Sequence, residues 1–112
     1  MLFSVTMFPV GDGPSLKKPI AEVIDEIDRG GLHYEVTPSD TVVEGDWDTV
    51  MPVLKRAEER LRANHDRVFM LLTIDDHVSV ENGLHNAVSE IESELHRTVN
   101  HRAPAFRAIQ RQ

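Results

Sequence analysis

"LHYEVTPSDTVVEGDWDTVM", residues 32–51, decides how the rest of the chain is read. Leu32, Tyr34 and Val36 alternate with His33, Glu35 and Thr37, the two-residue period of a strand. Pro38-Ser39-Asp40 reads as a turn, and the β-branched run that follows, Thr41 to Gly45, reads as a second short strand. The two make a hairpin. Asp46 then stands where a helix N-cap belongs. From there Trp47, Val50, Leu54, Ala57 and Leu61 repeat at helical spacing, so the chain's single tryptophan is expected to pin this helix to the core. Pro52 lies inside that pattern and predicts either a late helix start near Thr49 or a local bend.

Reading outward, residues 2–9 alternate Phe3, Val5 and Met7 with Ser4, Thr6 and Phe8, a first strand that "VGDGPS" breaks. Leu16, Ile20, Val23, Ile24 and Ile27 form a helical stripe. Ser15 or Lys18 can precede that helix, Pro19 is tolerated in its first turn, and Gly30-Gly31 supplies the stop. Beyond residue 62, "DRVFMLLTIDD" is the most continuously apolar run and predicts a central strand. Ser79 can cap a third helix with Leu84, Val88, Ile91 and Leu95 as its stripe. The order is βαββαβ plus one helix. This is an α+β chain of ferredoxin-like type, a four-stranded antiparallel sheet with two helices on one face and an extra C-terminal helix. Residues 1–97 are expected to form one domain, and 98–112, basic and carrying a proline, a tail that docks on a neighbour or stays loose.

The alternation assigns two faces. Phe3, Val5, Met7, Leu32, Tyr34, Val36, Met70, Leu72 and Ile74 should face the helices. Phe8, Phe69 and Leu71 should lie on the other face among Ser4, Thr6, Glu35 and Thr37. That face is too apolar to be bare and too polar to be core, so a partner subunit, a ligand or both are expected on it.

Composition narrows the functional classes. Nineteen acidic against twelve basic residues, a formal charge of −7, set a field that repels nucleic acid and anionic membranes. Such a field suits a cationic or neutral ligand, or serves solubility. With no cysteine, disulfides, thiolate metal sites and cysteine nucleophiles are excluded. No apolar stretch approaches the roughly 20 residues of a membrane span, and the opening residues lack a basic leader and cleavage site, which fits a cytoplasmic protein.

Tyr34, Pro38, Thr41, Glu44 and Gly45 spell Y-x-x-x-P-x-x-T-x-x-E-G, and a helix pattern follows. In this the chain resembles the small thiamine-binding proteins. Pro9-x-Gly11 after the first strand, Gly30-Gly31 before the second and the closing "TIDD" agree with them. The resemblance spans about residues 1–95, and T-x-x-E-G is its most specific part. It implies a ferredoxin-like fold, homodimers or homotetramers built through the sheets, and binding of thiamine or its hydroxymethylpyrimidine moiety. The chain departs from the pattern at Ser39-Asp40, where small apolar residues or Gly are usual. It departs again at Thr73 and His77, at Pro52 and in the basic tail.

Thiamine joins an aminopyrimidine to a permanently cationic thiazolium. The first asks for a donor–acceptor pair, the flat ring for an aromatic or thioether wall, and the cation for a carboxylate or aromatic face. Glu44 is the first candidate for the pyrimidine or the cation, against the bland reading that it helps cap the next helix or faces solvent. Thr37 and Thr41 flank the hairpin turn, and Ser4 and Thr6 lie on the open face. Each hydroxyl alone has the commoner fate of β-propensity or turn bonding. Asp75-Asp76-His77 reads as a solvated strand end, and the remaining histidines show no metal spacing. No nucleophile motif and no phosphate loop appears, so neither a cofactor nor catalysis is expected. Two alternatives compete with vitamin binding. One is an assembly or regulatory module whose open face is all protein contact. The other is a small enzyme using His33 and Glu35 as acid and base.

Overall fold

The structure, a computed structural model, describes residues 1–11, 13, 15–78 and 83–99. Its elements are β1 (Leu2–Pro9), α1 (Lys17–Arg29), β2 (His33–Val36), β3 (Thr41–Glu44), α2 (Trp47–Arg62), β4 (Val68–Asp75) and α3 (Gly83–Leu95). The strands form one sheet in the order β2-β3-β1-β4, every neighbouring pair antiparallel. This is the ferredoxin-like arrangement with a third helix. The apolar run of β4 does not make it central. It is an edge strand, and β1 sits in the middle beside it. The run is continuous because both faces of β4 are apolar, and one of them is left exposed at Phe69 and Leu71.

Strand alternation builds the core. Phe3, Val5 and Met7 of β1 are buried, and the register sets Phe3 between Val43 and Ile74 and Val5 between Thr41 and Leu72. Over them lie Val23 and Ile27 of α1 with Val50, Val53, Leu54, Ala57 and Leu61 of α2. The two helices approach closely where α1 ends, because a Cβ on Gly30 would fall 2.7 Å from Val53 Cγ2. Gly31, at φ +70°, then turns the chain into β2, a conformation that glycine adopts at no steric cost. Arg60 clamps α2 to α1 from outside. Its guanidinium lies 2.7 Å from Asp25, 3.2 Å from Glu26 and 3.3 Å from Glu22. That contact holds the Asp25 carboxyl below its usual range and raises the guanidinium's own.

Several expectations are corrected. Neither Ser15 nor Lys18 caps α1; Leu16 occupies the N-cap and offers no side-chain bond. Asp46 does cap α2, accepting from the Thr49 N–H at 2.8 Å. The helix starts at once at Trp47 and runs unbroken through Pro52. Pro52 is only its sixth residue, so the one carbonyl it deprives, on exposed Asp48, is within reach of water. Trp47 is not core. As the first helical residue it is half exposed, with its ring tilted against Phe3 at 6.3 Å. Ile20 and Ile74, expected inside, lie at the margins and are exposed. Leu32 precedes β2 and packs at the core's edge; Val43, given no face in the sequence reading, is fully inside, and Thr41, nominated there for the ligand, is buried beside it. α3 packs on β3 and leaves Ile91 and Leu95 exposed. The proposed Ser79 cap, the Leu84 side chain and the tail from residue 100 lie outside the described residues.

Candidate functional site

The side of the sheet away from α1 and α2 carries the alternate set: Ser4, Thr6 and Phe8 of β1, His33 and Glu35 of β2, Val42 and Glu44 of β3, and Phe69, Leu71 and Thr73 of β4. Pairing sorts these residues into rows across the strands. Leu2 lies between Glu44 and Asp75, with His33 beyond Glu44. In the next row Ser4 lies between Val42 and Thr73, with Glu35 beyond Val42. Farther along, Thr6 pairs with Leu71 and Phe8 with Phe69. The face therefore has a carboxylate end, holding Glu44, Asp75 and Glu35, and an apolar end.

At the carboxylate end, the Glu44 side chain is only 16% exposed, and His33 Nδ1 is 3.8 Å from its Oε1. That separation permits an ion pair but is too long for a hydrogen bond. Oε1 is buried without a hydrogen-bond partner among the described residues. A buried carboxylate oxygen left in this way carries a desolvation penalty of roughly 1–3 kcal/mol or more. As a carboxylate oxygen it is a strong hydrogen-bond acceptor. The helix cap considered for Glu44 is made by Asp46 instead.

Toward the apolar end, the β2–β3 turn bends over β1. Asp40 accepts from Ser4 Oγ on one carboxylate oxygen and from Thr37 Oγ1 on the other. The Thr37 hydroxyl in turn accepts from the N–H groups of Asp40, at 3.1 Å, and Ser39, at 3.3 Å. Thr6 Oγ1 donates to the Ser39 carbonyl at 3.3 Å. Ser4, Thr6 and Thr37 are thus brought together, and what they hold is the turn. Beyond them the Phe8 and Phe69 rings pack at 5.4 Å.

Thr41 stands apart from this group. It is 7% exposed and faces the helices between Val5 and Val36, because it shares the parity of buried Val43 rather than that of Glu44. Asp40, in the turn, and Glu44, at the far end of β3, are four residues apart, roughly 13 Å at strand rise, so of the hydroxyls only Ser4, one row from Glu44, lies beside the carboxylate. The residue that sequence reasoning missed is Asp40. Its only signal was the departure from the family pattern at Ser39-Asp40. The adjacency of His33 and Glu44 follows from the hairpin register.

The structure has two concavities. One of about 100 Å³, between the start of α1 and the β2–β3 turn, is bordered by Thr6, Thr37 and Thr41 together with Asp40, Ile20 and Ile24, so it brings three of the nominated residues to one hollow, but it is too small for a vitamin. The other, about 630 Å³ and open, runs between α2 and β4 past Trp47, Met51, Pro52, Lys55, Glu58 and Met70. It is the larger of the two, and Asp48 and Glu58 on its wall outnumber Lys55, so its charge does not oppose a cation; among the described residues it holds no buried polar side-chain atom without a partner. Among the described residues no three His, Asp or Glu side chains group as metal ligands, and no helix is long and apolar enough to cross a membrane.

Residues 3–92 match the thiamine-binding protein family. A UPF0045 protein of Methanothermobacter thermautotrophicus is 30% identical over 94 residues, covering 81% of this chain and 95% of that one. A UPF0045 protein of Mycobacterium bovis is 33% identical, with 83% and 90% covered. The fold is shared with a hypothetical protein of Methanocaldococcus jannaschii at TM-score 0.75 and 29% identity, covering 80% of this chain and 93% of that one. It is shared also with a Thermotoga maritima protein proposed for thiamine biosynthesis or salvage, at TM-score 0.69 and 27% identity, with 80% and 96% covered.

Proposed function

Because the chain belongs to the thiamine-binding protein family, we propose that it binds thiamine or its hydroxymethylpyrimidine half in the cytoplasm and holds it without chemistry. The observation that carries this reading is Glu44 Oε1, buried at the carboxylate end of the open face and without a hydrogen-bond donor among the described residues. An aminopyrimidine presents an amino N–H and, when protonated, a ring N–H side by side, the pair that a carboxylate accepts through two parallel bonds. Leu2 and Val42 give the flat ring an apolar floor. Asp75 and Glu35 lie close enough to attract the thiazolium, and Ser4, whose hydroxyl donates to Asp40, closes the row. Of the five nominated side chains, Glu44 is the ligand contact. Ser4, Thr6 and Thr37 fix the turn that frames the face, and Thr41 packs beneath it.

The apolar end favours a second role for the same face. Phe69 is 42% and Leu71 55% exposed on an edge strand, a surface suited to another copy of the chain in a homodimer or homotetramer. The ligand and the subunit contact then share the sheet without sharing residues.

Calorimetric titration of the full chain with thiamine and with hydroxymethylpyrimidine, repeated on Glu44→Gln, tests the ligand reading. Loss of one charge-assisted pair, worth about 1.5–3 kcal/mol, weakens binding by roughly ten- to a hundred-fold. Equal affinity in the two proteins, or no saturable heat from folded protein, refutes it. Turnover of either compound that disappears in His33→Ala would establish the enzyme alternative instead.

A further inference from the structure

The two helices do not cover the whole of the sheet beneath them. On β4 the helix-side residues Val68, Met70 and Leu72 are only partly buried and Ile74 is exposed. Between this strand and α2 lies the open groove of about 630 Å³. Strand alternation puts it on the side of the sheet opposite Phe69 and Leu71, so assembly through those two residues leaves it accessible. Its floor is Met51, Leu54 and Met70, and Trp47 stands half exposed at one end. Ile74 continues the apolar surface there, since it pairs with Phe3, against which the Trp47 ring is tilted. An indole and two thioethers make a floor that adapts to an apolar side chain and gains by being covered.

The rim is charged. Asp48 lies at the Trp47 end and Glu58 at the other, with Lys55 between them, and none of the three makes an ion pair among the described residues. Pro52, also on the rim, has no N–H to give the Asp48 carbonyl, which leaves that oxygen free for an outside donor on the same face of the helix. A carboxylate and a carbonyl beside an indole face suit a guanidinium, which donates to both and lies against the ring. Glu58 offers a second anionic station, and Lys55 disfavours positive charge midway. The groove also has the proportions of a chain rather than of a compact ligand. From Asp48 to Glu58 the helix rises roughly 15 Å, and residues i, i+2 and i+4 of an extended segment point to one side over roughly 13 Å.

We propose that the α2–β4 groove is a docking site for an extended segment of a partner protein in which two arginines flank one large apolar residue, Arg-x-Leu-x-Arg in form. The first arginine lies on Trp47 and bonds the carboxylate and carbonyl of Asp48. The leucine fills the floor at Met51 and Met70, and the second arginine meets Glu58. This docking does not rest on the vitamin reading, because Glu44 is on the opposite side of the sheet.

Trp47 is the chain's only tryptophan, so its emission reports on the groove directly. The probe is the capped peptide Gly-Ser-Arg-Ser-Leu-Ser-Arg-Ser-Gly, titrated into the full chain at low salt. The expected result is a saturable blue shift of the emission, with amide shifts at Trp47, Met51, Lys55 and Met70 and none at Leu2 or Glu44. Peptides with glutamate at both arginine positions, or with serine for leucine, should bind several-fold more weakly. So should the parent peptide to the Asp48→Asn/Glu58→Gln protein, whose two substitutions touch only the rim. Equal binding by the three peptides, or by the two proteins, overturns the proposal, since the groove would then be an unselective apolar surface. Amide shifts on the open face instead overturn it too, as does the lack of any saturable change up to millimolar peptide.

Discussion

The two faces of the sheet are built by the same strands and often by adjacent residues, yet they are held in opposite ways. On the helix side Phe3, Val5, Met7 and Val43 meet α1 and α2 in a closed apolar layer whose one polar member is Thr41. One residue along in each case, Ser4, Thr6 and Val42 lie on a face where order comes from hydrogen bonds to a turn and where a carboxylate oxygen is buried without a donor among the described residues. Under the two helices the first face is finished within the chain. The second is organised but incomplete, which is the physical mark of a surface that meets something else. Stability should therefore be concentrated on one side of the sheet and vitamin binding on the other.

Substitutions on the two sides test that division, the largest effect coming from the closed side. Leu54→Ala removes a fully buried side chain over the sheet and should cost about 2–5 kcal/mol in urea unfolding, with binding per folded molecule unchanged. An equally large loss of affinity would mean that the faces are not separable. Asp40→Ala should cost less, about 1–2 kcal/mol, since it frees the Ser4 and Thr37 hydroxyls to bond water. Hydrogen exchange should rise across residues 37–40 while the core amides stay protected. Leu71→Ser on the exposed edge should change unfolding by under about 0.5 kcal/mol, and its effect should appear in light scattering as a smaller assembly.

A smaller pH effect belongs to the closed side. The Thr49 hydroxyl and N–H hold the Asp46 carboxyl below the usual carboxylate range. A carboxyl depressed in the folded protein stabilises fully above its unfolded value, near pH 4, and that contribution fades as pH falls through the lower folded value. Asp46→Asn keeps a capping side chain without the titration. Its unfolding curve should thus lose stability less steeply than the parent's below about pH 4. Identical acid limbs would show that the cap does not titrate with folding.

Most of the fold was legible in the sequence because strand parity and helix stripes are local signals. Phe3, Val5 and Met7 fell on the closed face as their alternation required, and Asp46 announced α2. What misled was contact that spacing does not encode. Trp47 carried the right period for the core but begins its helix beyond the cover of α1. The run from Val68 to Asp75 looked central because apolar residues on an exposed interface and in a buried core are written alike. For the site, Glu44 and the open-face positions of Ser4 and Thr6 could be read directly. The use of Ser4 by Asp40, 36 residues away, could not, since only the fold brings them together. Thr41 was assigned to the ligand side although its parity with Val43 already placed it underneath.

The most direct test of the division between faces is to follow backbone amide shifts of the isotope-labelled chain while thiamine is titrated in. The account expects changes at Leu2, His33, Val42, Glu44 and Asp75, with Trp47, Met51 and Lys55 unmoved. Shifts confined to the α2–β4 groove around Trp47 would contradict it, placing the ligand on the helix side and leaving Glu44 with no part in binding.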